Sequence, residues 1–119
     1  MPDRIYKNIL FHLIFITKYR SPVISRDMLE QLRALFNRKA DDLECVIHIL
    51  NGRKDHVHAL VSAPPKLSVS DLVKHLKGFS SFIIKDLWWQ RGYGVFTVDE
   101  ASFKRVFHYI RNQEKHHGR

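Results

Sequence analysis

ECVIHILNGRKDHVHALVSAPP, residues 44–65, holds two short apolar runs around a polar break. Residues 44–50 are rich in β-branched side chains and read as a strand, and residues 56–62 read as its partner. NGRKD between them supplies Asn-Gly turn chemistry, so the stretch is expected to be a β-hairpin. Pro64 and Pro65 close it, since neither can donate to a strand ladder. Side chains alternate along a strand, so His56 and His58 point to one face while Val57 points to the other.

Working outward, residues 8–17 form an Ile-, Leu- and Phe-rich run that suits a central strand, broken by TKYRSPV. Ser25 is a fitting N-cap for a helix to about Ala40, with Met28, Leu29, Leu32, Leu35 and Phe36 on one apolar face. Past the hairpin, Ser68 with Asp71 resembles a capping box and opens a helix predicted to run to about Trp89. Leu72, Leu76, Phe79, Ile83 and Leu87 make its apolar stripe. Lys74, Lys77, Ser81 and Lys85 fall on another face, open to solvent or phosphates. Residues 93–98 (YGVFTV) suit a fourth strand, and Asp99 can cap a last helix over residues 101–115. The order βαββαβ followed by one more helix predicts an α+β, ferredoxin-like fold in a single domain spanning residues 1–119. Both inner helices then cover one face of a four-stranded antiparallel sheet, and the other face needs a cover.

The chain has 119 residues, 45% of them hydrophobic, enough for one core. Lys and Arg total 20 against 12 Asp and Glu, a formal charge of +8 that favours a polyanionic partner such as nucleic acid. The single cysteine, Cys45, excludes an internal disulfide and reads as core filling. Its most apolar N-terminal run, ILFHLIFI, is far below the roughly 20 residues of a membrane span, and no signal pattern precedes it, so a cytoplasmic protein is expected. There is no internal repeat, no linker, no Walker-type glycine loop and no RNP-type string.

Two neutral imidazoles on one strand face are half of a divalent-metal site; the same pair also occurs as a structural or surface feature. The last helix can supply more. At about 100° per residue, Phe103, Val106, Phe107 and Ile110 share a face that can pack on the sheet, and Tyr109 and Gln113 lie one above the other on its flank. His108 points about 100° away from Tyr109. His12 and His48 sit inside strand runs as inward or edge residues, His75 belongs to a helix, and His116 and His117 end the chain.

HVH on a strand after a short basic hairpin, followed by YIRNQ on a terminal helix, resembles the single-tyrosine HUH transposases, the TnpA-like enzymes of the two-hundred/six-oh-five insertion sequences, and their REP-associated tyrosine transposase relatives. TKYR (17–20), DHVHALVSAPP (55–65), LVKHLKGFSS (72–81) and WQRGYGVFTV (89–98) extend the resemblance over nearly the whole chain. It implies a DNA transposase that cleaves and rejoins single-stranded DNA at hairpin-marked ends, with Tyr109 as nucleophile and a 5′-phosphotyrosine intermediate. It implies a Mg²⁺ or Mn²⁺ ion held by His56, His58 and Gln113, and a homodimer in which the tyrosine acts in cis or in trans. Lys18, Tyr19, Arg20, Arg53, Lys54, Lys74 and Lys77 are the candidate DNA contacts. Tyr19, Trp88 and Trp89 could stack on bases. The alternative is a non-catalytic or domesticated hairpin-binding module on the same fold.

Overall fold

The computed structural model describes residues 8–113. Strand β1 (Ile9–Ile16) lies at the centre of one antiparallel sheet of order β2-β3-β1-β4, flanked by β3 (His56–Ala63) and β4 (Gly94–Val98), with β2 (Val46–Gly52) beyond β3. This is the ferredoxin-like arrangement that the βαββαβ order implies. Phe11, Leu13 and Phe15 of β1 and Val57, Ala59, Val61 and Ala63 of β3 point to one face, where helices α1 (Arg26–Asp42) and α2 (Val69–Ile83) bury them. α1 contributes Leu29, Leu32 and Phe36 to that core, and α2 contributes Leu72, Val73 and Leu76. Each helix starts where a serine side chain satisfies an orphan backbone donor. The Met28 N–H donates to Ser25 Oγ, and the Asp71 N–H donates to Ser68 Oγ, both at 3.1 Å.

The structure moves several boundaries. Glu44 has a left-handed backbone (φ 61°) and the Cys45 N–H donates to the Ala40 carbonyl, so both residues close α1 instead of opening β2. Asn51 and Gly52 pair with His58 and Val57 inside the ladder. The reversal falls on Lys54 and Asp55, bracketed by the Arg53 N–H donating to the His56 carbonyl. Gly52 is required by space: a Cβ there would stand 2.2 Å from the His56 carbonyl oxygen. A bulge at His48 puts one extra residue into β2, which keeps Ile47 and Leu50 on the core face and turns Asn51 to the other.

α2 stops at Ile83, six residues short of Trp89. The Ser80 and Ser81 hydroxyls donate back to the Leu76 and Lys77 carbonyls, an alternative to continued helix, and Trp89 donates its ring N–H to Ser80 Oγ. Leu87 is buried as the sequence stripe implies, but from the turn after the helix. Asp99 Oδ1 accepts from the Ser102 N–H and opens a short 3-10 turn (Glu100–Ser102) before helix α3 (Phe103–Arg111). The expected continuation of this helix to Lys115 lies outside the described residues, as do His116 and His117. α3 packs on β2 and β3 and covers half of the second sheet face. Among the described residues, no helix is long and apolar enough to cross a membrane.

Candidate active site

Register decides what stands beside the paired histidines. Strand partners share a face, and β1 pairs Ile14 with His58 and His12 with Leu60. His12, Ile14 and Ile16 therefore line the same face as His56, His58 and Leu60, away from the α1–α2 core. The His56 and His58 rings lie 5.3 Å apart, and the His12 ring lies 5.1 Å from that of His58 on the other side. His12 Nε2 is 2.9 Å from His58 Nδ1, and His56 Nδ1 is 2.8 Å from Asp55 Oδ1.

Both histidines of β3 are buried. Burial, with the His12 and His56 rings beside it, pushes His58 down to about 3, and burial also lowers His12. His58 is consequently a neutral imidazole at physiological pH, the form that ligates metals. Burial acts to raise the Asp55 carboxyl, but its hydrogen bond to His56 and the nearby Arg20 charge outweigh this and hold it below the usual value. An ionised carboxylate has no proton to give, so His56 donates its Nδ1 proton to Asp55.

α3 brings the other two candidates over this face. Ile110 is fully buried, as is Leu60 of β3; a leucine or isoleucine removed from water in this way contributes about 1.5–3 kcal/mol. Asn51, aimed at α3 by the bulge in β2, donates from Nδ2 to the Ile110 and Arg111 carbonyls at 3.1 and 2.9 Å and so satisfies the open C-terminal end of the helix. Tyr109 lands with its ring 5.8 Å from His58 and 6.2 Å from His12, and it remains 41% exposed. Gln113 is fully buried and donates from Nε2 to the Tyr109 carbonyl at 3.3 Å. His108 is exposed, and its ring packs edge-on to Phe107. His48 is 2.7 Å from Ser62 Oγ and stands against Phe103.

The basic candidates divide between two regions. Thr17, at the end of β1, is buried and donates its hydroxyl to the Ser21 and Asp55 carbonyls. Tyr19 and Arg20 follow with left-handed backbones (φ 60° and 52°), a strained conformation for such side chains. This turn sets Arg20 Nε 3.2 Å from Asp55 Oδ2, on the carboxylate that holds His56. Tyr19 projects outward at 85% exposure, and Lys18 Nζ lies over both the Tyr19 and Trp88 rings. A cleft of about 390 Å³ is lined here by Lys18, Tyr19, Ser21, Val23, Asp86 and Trp88. Lys54 is exposed at the hairpin tip, and Arg53 Nη1 is shielded from solvent with no hydrogen-bond partner. Lys74 and Lys77 belong to α2 on the opposite side of the sheet. Lys74 is exposed, whereas Lys77 Nζ donates to the Gln90 and Gly92 carbonyls and ties down the loop before β4.

Three residues of this site are absent from the sequence-based candidates: His12, Asp55 and Asn51. Asp55 could have been found from its place beside HVH. His12 and Asn51 needed the strand register and the bulge. Among the described residues, no three His, Cys, Asp or Glu side chains are arranged to hold a metal ion. The two β3 imidazoles do fit a divalent cation in kind, because burial keeps His58 neutral and Asp55 holds His56 by its Nδ1. Further donors would have to be an amide, such as that of Gln113, or substrate oxygen.

A family model described as "Transposase IS200 like" matches residues 5–113. The ISDra2 transposase TnpA of Deinococcus radiodurans is 30% identical over 115 residues, covering 87% of this chain and 82% of the relative. The transposase of insertion sequence element IS200 from Salmonella typhimurium is 28% identical over 118 residues, covering 89% and 77%. Among solved structures, a putative transposase from Deinococcus radiodurans superposes with a TM-score of 0.72 at 29% identity, over 89% of this chain and 91% of that one. A REP-associated tyrosine transposase bound to a REP hairpin gives 0.73 at 16% identity, over 94% and 69%, and shares the fold. With a match that runs through every strand and helix, from ahead of β1 to past the end of α3, the chain belongs to the IS200-like transposases, of the IS200/IS605 type.

Proposed function

We propose that this transposase cuts and rejoins single-stranded DNA at hairpin-marked element ends, with Tyr109 as the nucleophile. The observation that carries the reading is the placement of the Tyr109 ring 5.8 Å from His58, partly exposed, above two imidazoles of the same chain. The Tyr109 hydroxyl oxygen attacks the scissile phosphorus in line, the bond from phosphorus to the 3′-oxygen breaks, and the phenolic proton passes to solvent as the 3′-hydroxyl forms. The product is a 5′-phosphotyrosine, whose bond energy is conserved for a reverse attack by another 3′-hydroxyl without ATP. A phenol has a pKa near 10 and the phosphodiester is already anionic, so both benefit from a nearby cation. His56, His58 and Gln113 would hold a divalent ion, Mg²⁺ or Mn²⁺, which would supply that charge at the phosphate.

DNA binding is assigned to the basic set read from the sequence, chiefly Lys18, Arg20, Arg53 and Lys54 around the hairpin tip, with Tyr19 and Trp88 offering faces for unpaired bases. The hairpin-bound neighbour of the same fold supports a hairpin as the partner. A homodimer belongs to the same proposal. The test is a denaturing gel of the protein with hairpin-bearing single-stranded DNA and Mn²⁺. Wild type is expected to form a covalent adduct, Tyr109→Phe to retain reversible hairpin binding without one, and His56→Ala to lose metal-dependent cleavage. An adduct from Tyr109→Phe would refute the assigned nucleophile. Reversible retention alone from wild type would make the chain a binding module.

A further inference from the structure

His12 is used by nothing in the proposed chemistry, yet its Nε2 lies 2.9 Å from Nδ1 of His58, far closer than unrelated neighbours need be. The contact joins β1 to β3 across the site face, and the His12 ring is fixed there by Phe96 on one side and Tyr109 on the other, at 5.9 and 6.2 Å. Two neutral imidazoles this close share one proton, and its position has consequences. With the proton on His12 Nε2, His58 Nδ1 is the acceptor and the one proton of His58 must sit on Nε2, where it blocks a cation. With the proton on His58 Nδ1, the Nε2 lone pair of His58 is free.

For His56 the same choice is made by Asp55, whose carboxylate can only accept. We propose that His12 does for His58 what Asp55 does for His56: it is a positioning residue that keeps its own proton on Nδ1, accepts the Nδ1 proton of His58 through Nε2, and presents the Nε2 of His58 as a ligand. Outer partners of this kind fix the tautomer and orientation of metal-binding imidazoles. The inference rests on the metal-dependent reading above, and its test separates the two.

Long-range ¹H–¹⁵N correlation spectra of the metal-free protein report which ring nitrogen carries the proton. The expected wild-type pattern is Nδ1–H at both His56 and His58, and Nδ1–H with a bare Nε2 at His12. His12→Leu removes the acceptor and should move the His58 proton toward Nε2, with Mn²⁺ affinity by calorimetry falling about 10–100-fold. His12→Gln, whose amide oxygen reaches to where Nε2 stands, should restore both readouts. A merely structural histidine would leave the tautomer of His58 unchanged in a folded His12→Leu protein. Nε2–H at His58 in wild type, or wild-type Mn²⁺ affinity in His12→Leu, would overturn the proposal. Should His12→Leu fail to fold, the wild-type spectrum decides alone. If wild type binds no Mn²⁺, the metal reading falls while the spectrum still decides the direction of the hydrogen bond.

Discussion

Gly52→Ala should open the hairpin that carries His56. The added Cβ would stand 2.2 Å from the His56 carbonyl oxygen and 2.7 Å from Val57 Cα, both backbone atoms of the facing strand that no rotamer change can move. Ordinary contact begins at 3.4 Å, so the strands must part by about 1 Å. That movement breaks the 2.9 Å bond from the Arg53 N–H to the His56 carbonyl, a loss of about 1 kcal/mol, and adds overpacking strain of about 1–3 kcal/mol. The total is roughly 2–4 kcal/mol, or on the order of 10 °C in melting temperature for a chain of this size. Gly78→Ala is the internal control. It lies inside α2 with nothing within 4 Å of the new Cβ, so it should stabilise by roughly 0.5–1 kcal/mol through helix propensity. Urea denaturation of the two variants beside wild type checks both signs. A loss below about 1 kcal/mol for Gly52→Ala would refute close approach as the reason for this glycine.

Stability should fall with acid. His58 is held well below 6.5 when folded, so the unfolded chain takes up its proton first as pH drops. The contribution is intact at pH 7, declines below 6.5 and reaches about 2 kcal/mol of loss near pH 5 from His58 alone, with His12 and His48 acting in the same direction. Urea midpoints that stay flat between those pH values would refute burial of a neutral His58. Asn51→Ala removes both donations to the end of α3 and should cost about 1–2 kcal/mol there. Hydrogen exchange over Phe103–Arg111 should accelerate relative to α2, and unchanged exchange would show that the helix end does not depend on Asn51.

The element order was legible because each element carries its own local signal. Short apolar, β-favouring runs gave β1 and β3, and Ser25 and Ser68 announced their helices through caps that need only neighbouring residues. What failed depended on contacts distant in sequence. Asn51-Gly52 has the composition of a tight turn, and only the closeness of the facing strand shows that the glycine answers a steric demand within the ladder. The apolar spacing of α2 continues through Leu87, and periodicity cannot tell a buried helical residue from one buried by the turn that follows. His12 looked like any histidine in a strand, because pairing across β1 and β3, unknown from one sequence, is what sets it beside His58.

The same register explains how the proposed site can sit on a sheet face at all. α3 packs on β2 and β3, so the face is dry over Leu60 and open on the side of β1 and β4, where Phe96 is exposed. His58 lies under the covered half and is driven neutral by it. Tyr109 stands at the border, its ring within about 6 Å of both His58 and His12 and part of its surface still in water. A nucleophile deeper under α3 would be closed to a DNA strand, and imidazoles farther out toward β4 would regain water and protonate near neutral pH. Half coverage by one short helix, anchored by Asn51 at its C-terminal end, reconciles the two requirements. Shifting α3 toward β4 should therefore cover Tyr109 and harm DNA access, whereas shifting it the opposite way, off β3, should wet His58 and harm ligation, and that separation is the mark of a border position.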